Sequence, residues 1–112
     1  MIKMVTLIRR KQGLSREQFL HHWKEVHKPI FCAAPIMRHV LYYTQNHVVQ
    51  RFPDAPEEGQ DWDGILECWF ESMDKLAQIQ QEPYYLSQVR PDEEKFVDAA
   101  RSVTFFVEEH PL

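Results

Sequence analysis

From Ile2 to Arg9 two largely apolar sets alternate, Ile2, Met4, Thr6 and Ile8 on one side and Val5 with Leu7 on the other, which predicts a first strand covered on both faces. Gly13 closes it before a polar turn. Ser15 with Gln18 three residues later is a capping-box pattern, which predicts a helix start. Phe19, Leu20, Trp23, Val26 and His27 then recur at three- and four-residue spacing as one apolar stripe, and Pro29 predicts that the helix ends near His27. A loop or short helical turn is expected through Pro35.

Val40 to Val49, with two tyrosines and several β-branched residues, predicts a second strand, and Trp62 to Phe70 a third. Between them the polar stretch Gln50 to Asp61, with Pro53, Pro56 and Gly59, reads as a mobile lid or pocket rim. Ser72 caps a short helix carrying Met73, Leu76, Ala77 and Ile79. Pro83 marks a further helical turn. Pro91 with Asp92 and Glu93 reads as the start of a last helix, whose inward face is Phe96, Val97 and Ala100. Ser102 to Val107 closes the chain as a fourth strand. The order β-α-β-β-α-β defines an α+β, ferredoxin-like plan with an antiparallel sheet and its helices on one face. The other sheet face stays apolar and calls for a partner, so a homodimer of facing sheets, a dimeric α+β barrel, is expected.

Composition narrows the function. The chain has 112 residues, so a single domain over 1–112 is expected. Acidic residues number 17 against 13 Lys and Arg, and the net charge of -4 argues against nucleic acid as a partner. The start of the chain has the reverse of a signal peptide's order, and no stretch has the roughly 20 apolar residues of a membrane span, so no membrane partner and a cytoplasmic location are expected. Cys32 and Cys68 form no CxxC pattern and read as free thiols. Gly13, Gly59 and Gly64 are the only glycines and cannot form GxGxxG, and no closely spaced ligand set is evident. Activity without added metal, haem, flavin or nicotinamide is the expectation.

The segments "EQFLHHWKEVHKPI", "HVLYYTQNH", "DWDGILECWFES" and "PDEEKFVD" resemble, in order, successive landmarks of the EthD family. The resemblance implies a dimeric α+β barrel with a pocket between sheet and helices, acting on small organic molecules, commonly without a metal. Ether-degradation proteins, dehydratase- or decarboxylase-like enzymes of aromatic polyketide pathways and muconolactone isomerases belong to this group or its neighbours. On this basis the chain is expected to be a cofactor-independent acid-base enzyme acting on a small cyclic or aromatic metabolite, with lyase chemistry (dehydration, decarboxylation or cyclisation) ahead of muconolactone-type isomerisation. A cofactor-free monooxygenase and a non-catalytic small-ligand binding protein remain competing readings.

His27, on the apolar stripe, suits proton transfer near neutral pH; its alternative is a buried histidine bonded to a helix-end carbonyl. Tyr43 aligns with the tyrosine of the family's Y-x-Q-N-H strand and can donate to a substrate oxygen, against the commoner role of packing. Cys68 resembles a cysteine of methylmuconolactone isomerases, against the reading of a small buried hydrophobe. These three are the expected catalytic residues. Trp23, Glu67, Trp69 and His47 are expected to bind substrate, with Glu67 as the rival proton acceptor if the opposite face of the third strand lines the pocket. His21 and His22 diverge by about 100° on a helix and are not a metal pair.

Overall fold

The computed structural model describes residues 1–54 and 61–112. Four strands, β1 (Ile2–Ile8), β2 (Val40–His47), β3 (Gly64–Phe70) and β4 (Val103–Val107), form one sheet in the order β2-β3-β1-β4. Every pairing is antiparallel. This is the ferredoxin-like α+β plan. Residues 55–60, the centre of the expected lid, lie outside the described residues.

Register sorts the side chains into two faces. Met4 lies opposite Cys68, which in turn lies opposite Tyr43; Thr6 lies between Leu66 and Thr104. All of these line the helix side. Val5, Glu67, Trp69, Tyr42 and Phe105 alternate with them and therefore occupy the other side.

Ser15 does cap α1 (Arg16–His21): its hydroxyl accepts from the Gln18 amide while the Gln18 side chain accepts from the Ser15 amide. The helix does not end near His27. It widens into a π-helical turn over His22–His27 and continues as α2 (Lys28–Cys32), with Pro29 in its first turn. The Lys28 amide bonds the Trp23 carbonyl five residues back, and this wider loop lets the chain absorb a proline that would collide in a regular helix. Within the stripe, Phe19, Trp23 and His27 are buried, but Val26 is exposed, because the wide turn rotates it out of the face that α-helical spacing assigns it.

A 3₁₀ turn, Pro35–His39, leads into β2. Ser72 caps α3 (Met73–Gln81), whose Leu76 and Ile79 are buried against Cys68 and Phe70. The second helical segment repeats the device of the first: a π turn at Tyr85–Val89 precedes α4 (Arg90–Phe96), so Pro91 sits inside a continuing helix rather than opening a new one. That helix ends at Phe96, and Ala100 is exposed in a 3₁₀ turn (Ala99–Arg101) instead of facing inward. One buried cluster, Ile8, Phe19, Trp23 and Phe96, ties β1 and the first helical segment to the end of α4.

The "DWDG" segment is an anchor. Asp63 is buried and accepts from the Arg10 amide at 2.9 Å, the Arg10 guanidinium at 2.6 Å and the Arg16 guanidinium at 3.0 Å, so it ties the start of β3 to the end of β1 and to α1. Next to it the Trp23 ring lies over Gly64, where a Cβ would come within 2.5 Å of the ring. That ring is packed against Phe19 and stacked on His47, so it has little room to retreat. Gly64→Ala is expected to destabilise the chain by about 1–3 kcal/mol, read as a lower urea midpoint with unchanged m. An unchanged midpoint would show that the ring can shift freely.

Candidate active site

Between the helices and the sheet lies a cavity of about 220 Å³. Its floor is Met4, Thr6, Tyr43, Leu66, Cys68 and Thr104 from the strands; Trp23, His27, Phe31, Tyr85, Glu93 and Phe96 reach it from the helices. The wall is mainly apolar and aromatic, with a few polar groups, the usual constitution of a small-molecule site.

His27 is buried, and its Nδ1 lies 2.7 Å from Oδ2 of buried Asp92. With Nδ1–H donating to that carboxylate, the neutral ring keeps its lone pair on Nε2. Burial pushes the pKa of His27 below its ordinary 6.5, while Asp92 pulls the other way without overcoming it. The imidazole is therefore a neutral base at physiological pH. His22 Nε2 also meets Asp92, at 3.0 and 3.1 Å from the two carboxylate oxygens. On a regular α-helix two residues five apart would point about 140° away from each other. The π turn brings His22 and His27 round to one carboxylate.

Tyr43 stacks on Phe31 with ring centroids 4.9 Å apart, and its hydroxyl oxygen accepts from Gln45 Nε2 at 2.9 Å. Burial pushes its pKa to about 12, so the phenol keeps its proton for donation. Cys68 is buried beside it, and its pKa is likewise raised by burial to about 12. That thiol is protonated and a weak nucleophile at neutral pH.

Glu67 and Trp69 do not reach the cavity. Strand alternation places both on the opposite face, where Glu67 pairs with Lys3 at 2.9 Å and accepts from Asn46 at 3.1 Å. These bonds, the one from Lys3 foremost, hold its pKa below the usual carboxylate value. Lys3 also lies over the Trp69 ring. The condition that favoured Glu67 as proton acceptor, a pocket on that face of β3, is not met. Trp23 lines the cavity; His47 stacks behind it at 5.2 Å, outside the lining, and bonds Gln45 Oε1.

Sequence reasoning missed Asp92, Glu93 and Tyr85. The first two were visible in "PDEEKFVD", but acidic residues after a proline read as helix-start chemistry. The Tyr85 hydroxyl donates to Glu93 Oε1 at 3.2 Å, and burial of Glu93 raises its pKa to about 7. Among the described residues, no group of three or more His, Cys, Asp or Glu side chains is placed to hold a metal ion, and no helix is long and apolar enough to cross a membrane.

The fold thus places a buried imidazole, backed by a carboxylate, in the wall of an aromatic cavity on a ferredoxin-like sheet. Residues 11–100 match the EthD domain, and the chain belongs to that family. It is similar to the dehydratase ustZ of Ustilaginoidea virens, with 27% identity over 83% of this chain and 72% of that protein. It is also similar to the decarboxylase AgnL1 of Paecilomyces divaricatus, with 25% identity over 83% of this chain and 68% of that one. The crystal structure of an EthD family protein from Bacillus halodurans superposes with a TM-score of 0.69 at 17% identity, covering 98% of this chain and 99% of that one. The dehydratase and the decarboxylase carry lyase names, which support lyase-type activity and give the isomerase reading no support.

Proposed function

We propose that the chain is a lyase that moves protons on a small cyclic or aromatic metabolite, with His27 as its base. The observation that carries this reading is the His27–Asp92 pair in the wall of an aromatic cavity: Asp92 holds the Nδ1 proton, and Nε2 is left to accept one from a substrate. Tyr43 supplies a hydrogen bond to the oxygen on which charge develops, as a phenol that burial keeps protonated. Cys68, a protonated thiol, shapes the floor beneath the substrate rather than attacking it. No step in this scheme calls on a metal, haem, flavin or nicotinamide. The dehydratase and decarboxylase relatives favour the same class. Turnover measured beside folding and ligand binding in a His27→Ala chain separates an enzyme from a binding protein. Lost turnover with binding intact supports catalysis; unaltered turnover removes His27 from the mechanism.

We also propose a homodimer through the uncovered sheet face. Tyr42 is 56% exposed, Phe105 52% and Val107 39%, next to Val5, Leu7 and Trp69 on the same side. Sedimentation at micromolar concentration is expected to give about twice the chain mass. A stable, well-folded monomer would reject the dimer.

A further inference from the structure

We infer that Glu93 is the proton donor to a departing hydroxyl, and that the substrate is accordingly a neutral cyclic β-hydroxy ketone which loses water, not an aromatic acid which loses carbon dioxide. This rests on the acid-base reading of His27 given above. Glu93 follows Asp92 on α4, and successive residues of a helix point about 100° apart. Asp92 turns to the two histidines, while Glu93 lines the cavity that His27 also lines. One short helix thus supplies the orienting carboxylate for the base and a second carboxyl group to the same cavity.

The two cavity groups are matched in protonation. Around pH 6.5 to 7 the imidazole is the neutral base, because burial lowers its pKa, and much of Glu93 is the neutral acid, because burial raises its pKa to about 7. The charged and titratable neighbours of Glu93 are Tyr85 and Arg90, which lower that value, and Asp92 and Glu94, which raise it; burial outweighs them. Pairing a base with an acid whose pKa values are pushed apart from their ordinary order is what an elimination needs.

Charge and size select the substrate. Among the described residues, the cavity lining contains no lysine and no arginine, and Arg90 lies over the Tyr85 ring at 5.7 Å rather than on the cavity wall. A substrate carboxylate would meet Glu93 with no fixed cation to offset its desolvation, whereas a ketone and a hydroxyl find Tyr43, Glu93 and His27. At about 30 Å³ for each water-sized group, the cavity has room for roughly seven of them, the bulk of one ring or two fused rings. Phe31, Tyr43 and Phe96 offer flat surfaces to such a ring.

The steps balance without a co-reactant. His27 Nε2 takes the proton from the carbon next to the ketone, and the C–H electron pair becomes the enolate, whose oxygen Tyr43 holds. That pair then forms the carbon–carbon double bond as the neighbouring C–O bond breaks, and the hydroxyl departs as water with the proton of Glu93. The proton on His27 returns through that water to the Glu93 carboxylate, which resets both groups.

The test uses the full chain, 3-hydroxy-1-tetralone as substrate, and 1-naphthol and 1-naphthoate as ligands followed by tryptophan fluorescence. Wild-type protein is expected to release 1-naphthol from the tetralone, because the enone left by loss of water gives up a C4 proton to solvent and takes one on its oxygen as it becomes aromatic, and the rate should fall as pH rises through about 7. Glu93→Gln is expected to lower that rate about 10²–10⁴-fold while keeping ligand binding, and its residual rate should lack the alkaline fall. At pH 8 the wild type should bind 1-naphthol at least about tenfold tighter than 1-naphthoate, and Glu93→Gln should shrink that preference by removing the buried charge. The Glu93→Gln chain should remain folded. A buried acid with a raised pKa favours folding at low pH and loses that contribution as pH passes about 7, so the amide should be the more heat-resistant chain at pH 8. Wild type that binds the tetralone without dehydrating it, Glu93→Gln with full turnover, or naphthoate bound as tightly as naphthol would each overturn the inference. Unchanged dehydration in His27→Ala would instead overturn the acid-base reading beneath it, so the two failures are distinguishable.

Discussion

Replacing His27 by alanine is expected to cut turnover by about 10²–10⁴-fold, the usual contribution of a positioned acid-base group. Because His27 is buried against Phe96 and Asp92, His27→Gln is the companion variant that fills more of the space and cannot act as a base. Asp92→Asn should come close to the same loss while leaving the imidazole in place, because an amide can donate to Nδ1 and so strand the proton on Nε2, where a base is needed. The pH dependence separates the two roles. His27 works as the neutral ring, so wild-type activity should fall on the acid side, with an apparent pKa below 6.5. Asp92 raises the pKa of His27, so Asp92→Asn should move that acid limb to still lower pH, and His27→Ala should abolish it. Full turnover in folded Asp92→Asn would reduce Asp92 to a packing residue.

Asp63→Ala is expected to be the most destabilising single change in the anchor region, by about 3 kcal/mol. The carboxylate is buried and meets two guanidinium groups and one backbone amide, while Arg10 and Arg16 keep side-chain exposures of 24% and 31%. Their partial contact with water allows some rehydration after the carboxylate is lost, which places the cost at the lower end for a broken buried ion pair. The Arg10 amide, by contrast, loses its acceptor at the junction of β1 and β3. Urea unfolding should show a midpoint lowered by the equivalent of that energy. A drop under about 0.5 kcal/mol would place Asp63 among ordinary surface charges.

The strand-and-helix order was legible because each element carries a local signal. Alternation in Ile2 to Ile8 and Gly64 to Phe70 reports a sheet face directly, and the Ser15 and Ser72 caps mark helix starts by a hydrogen bond that spans only three residues. The same local logic placed His27 on an inward stripe. It failed at Val26 and Pro29, since α-helical spacing and proline avoidance both assume a helix with four-residue bonds, and this one widens at His22–His27. A π turn has no strong composition of its own; packing and the continuing helix stabilise it.

Local patterns along the chain thus carry the α+β order, the inward position of His27 and the residue types available for chemistry. Which of those residues meet depends on contacts between distant segments. Whether Tyr43 and Cys68 share a cavity depends on the register between β2 and β3, a pairing of segments 25 residues apart in the chain. Glu67, one position along β3 from Cys68, lies on the other face by strand alternation, and it is the packing of the helices over the Cys68 face that puts the cavity there and leaves Glu67 outside it. The partnership of His27 with Asp92, 65 residues away, and the exposure of Glu93 to the cavity follow from docking two helical segments across the sheet. Long-range packing sets both, and burial there also determines the protonation of His27 and Glu93, which no local pattern encodes.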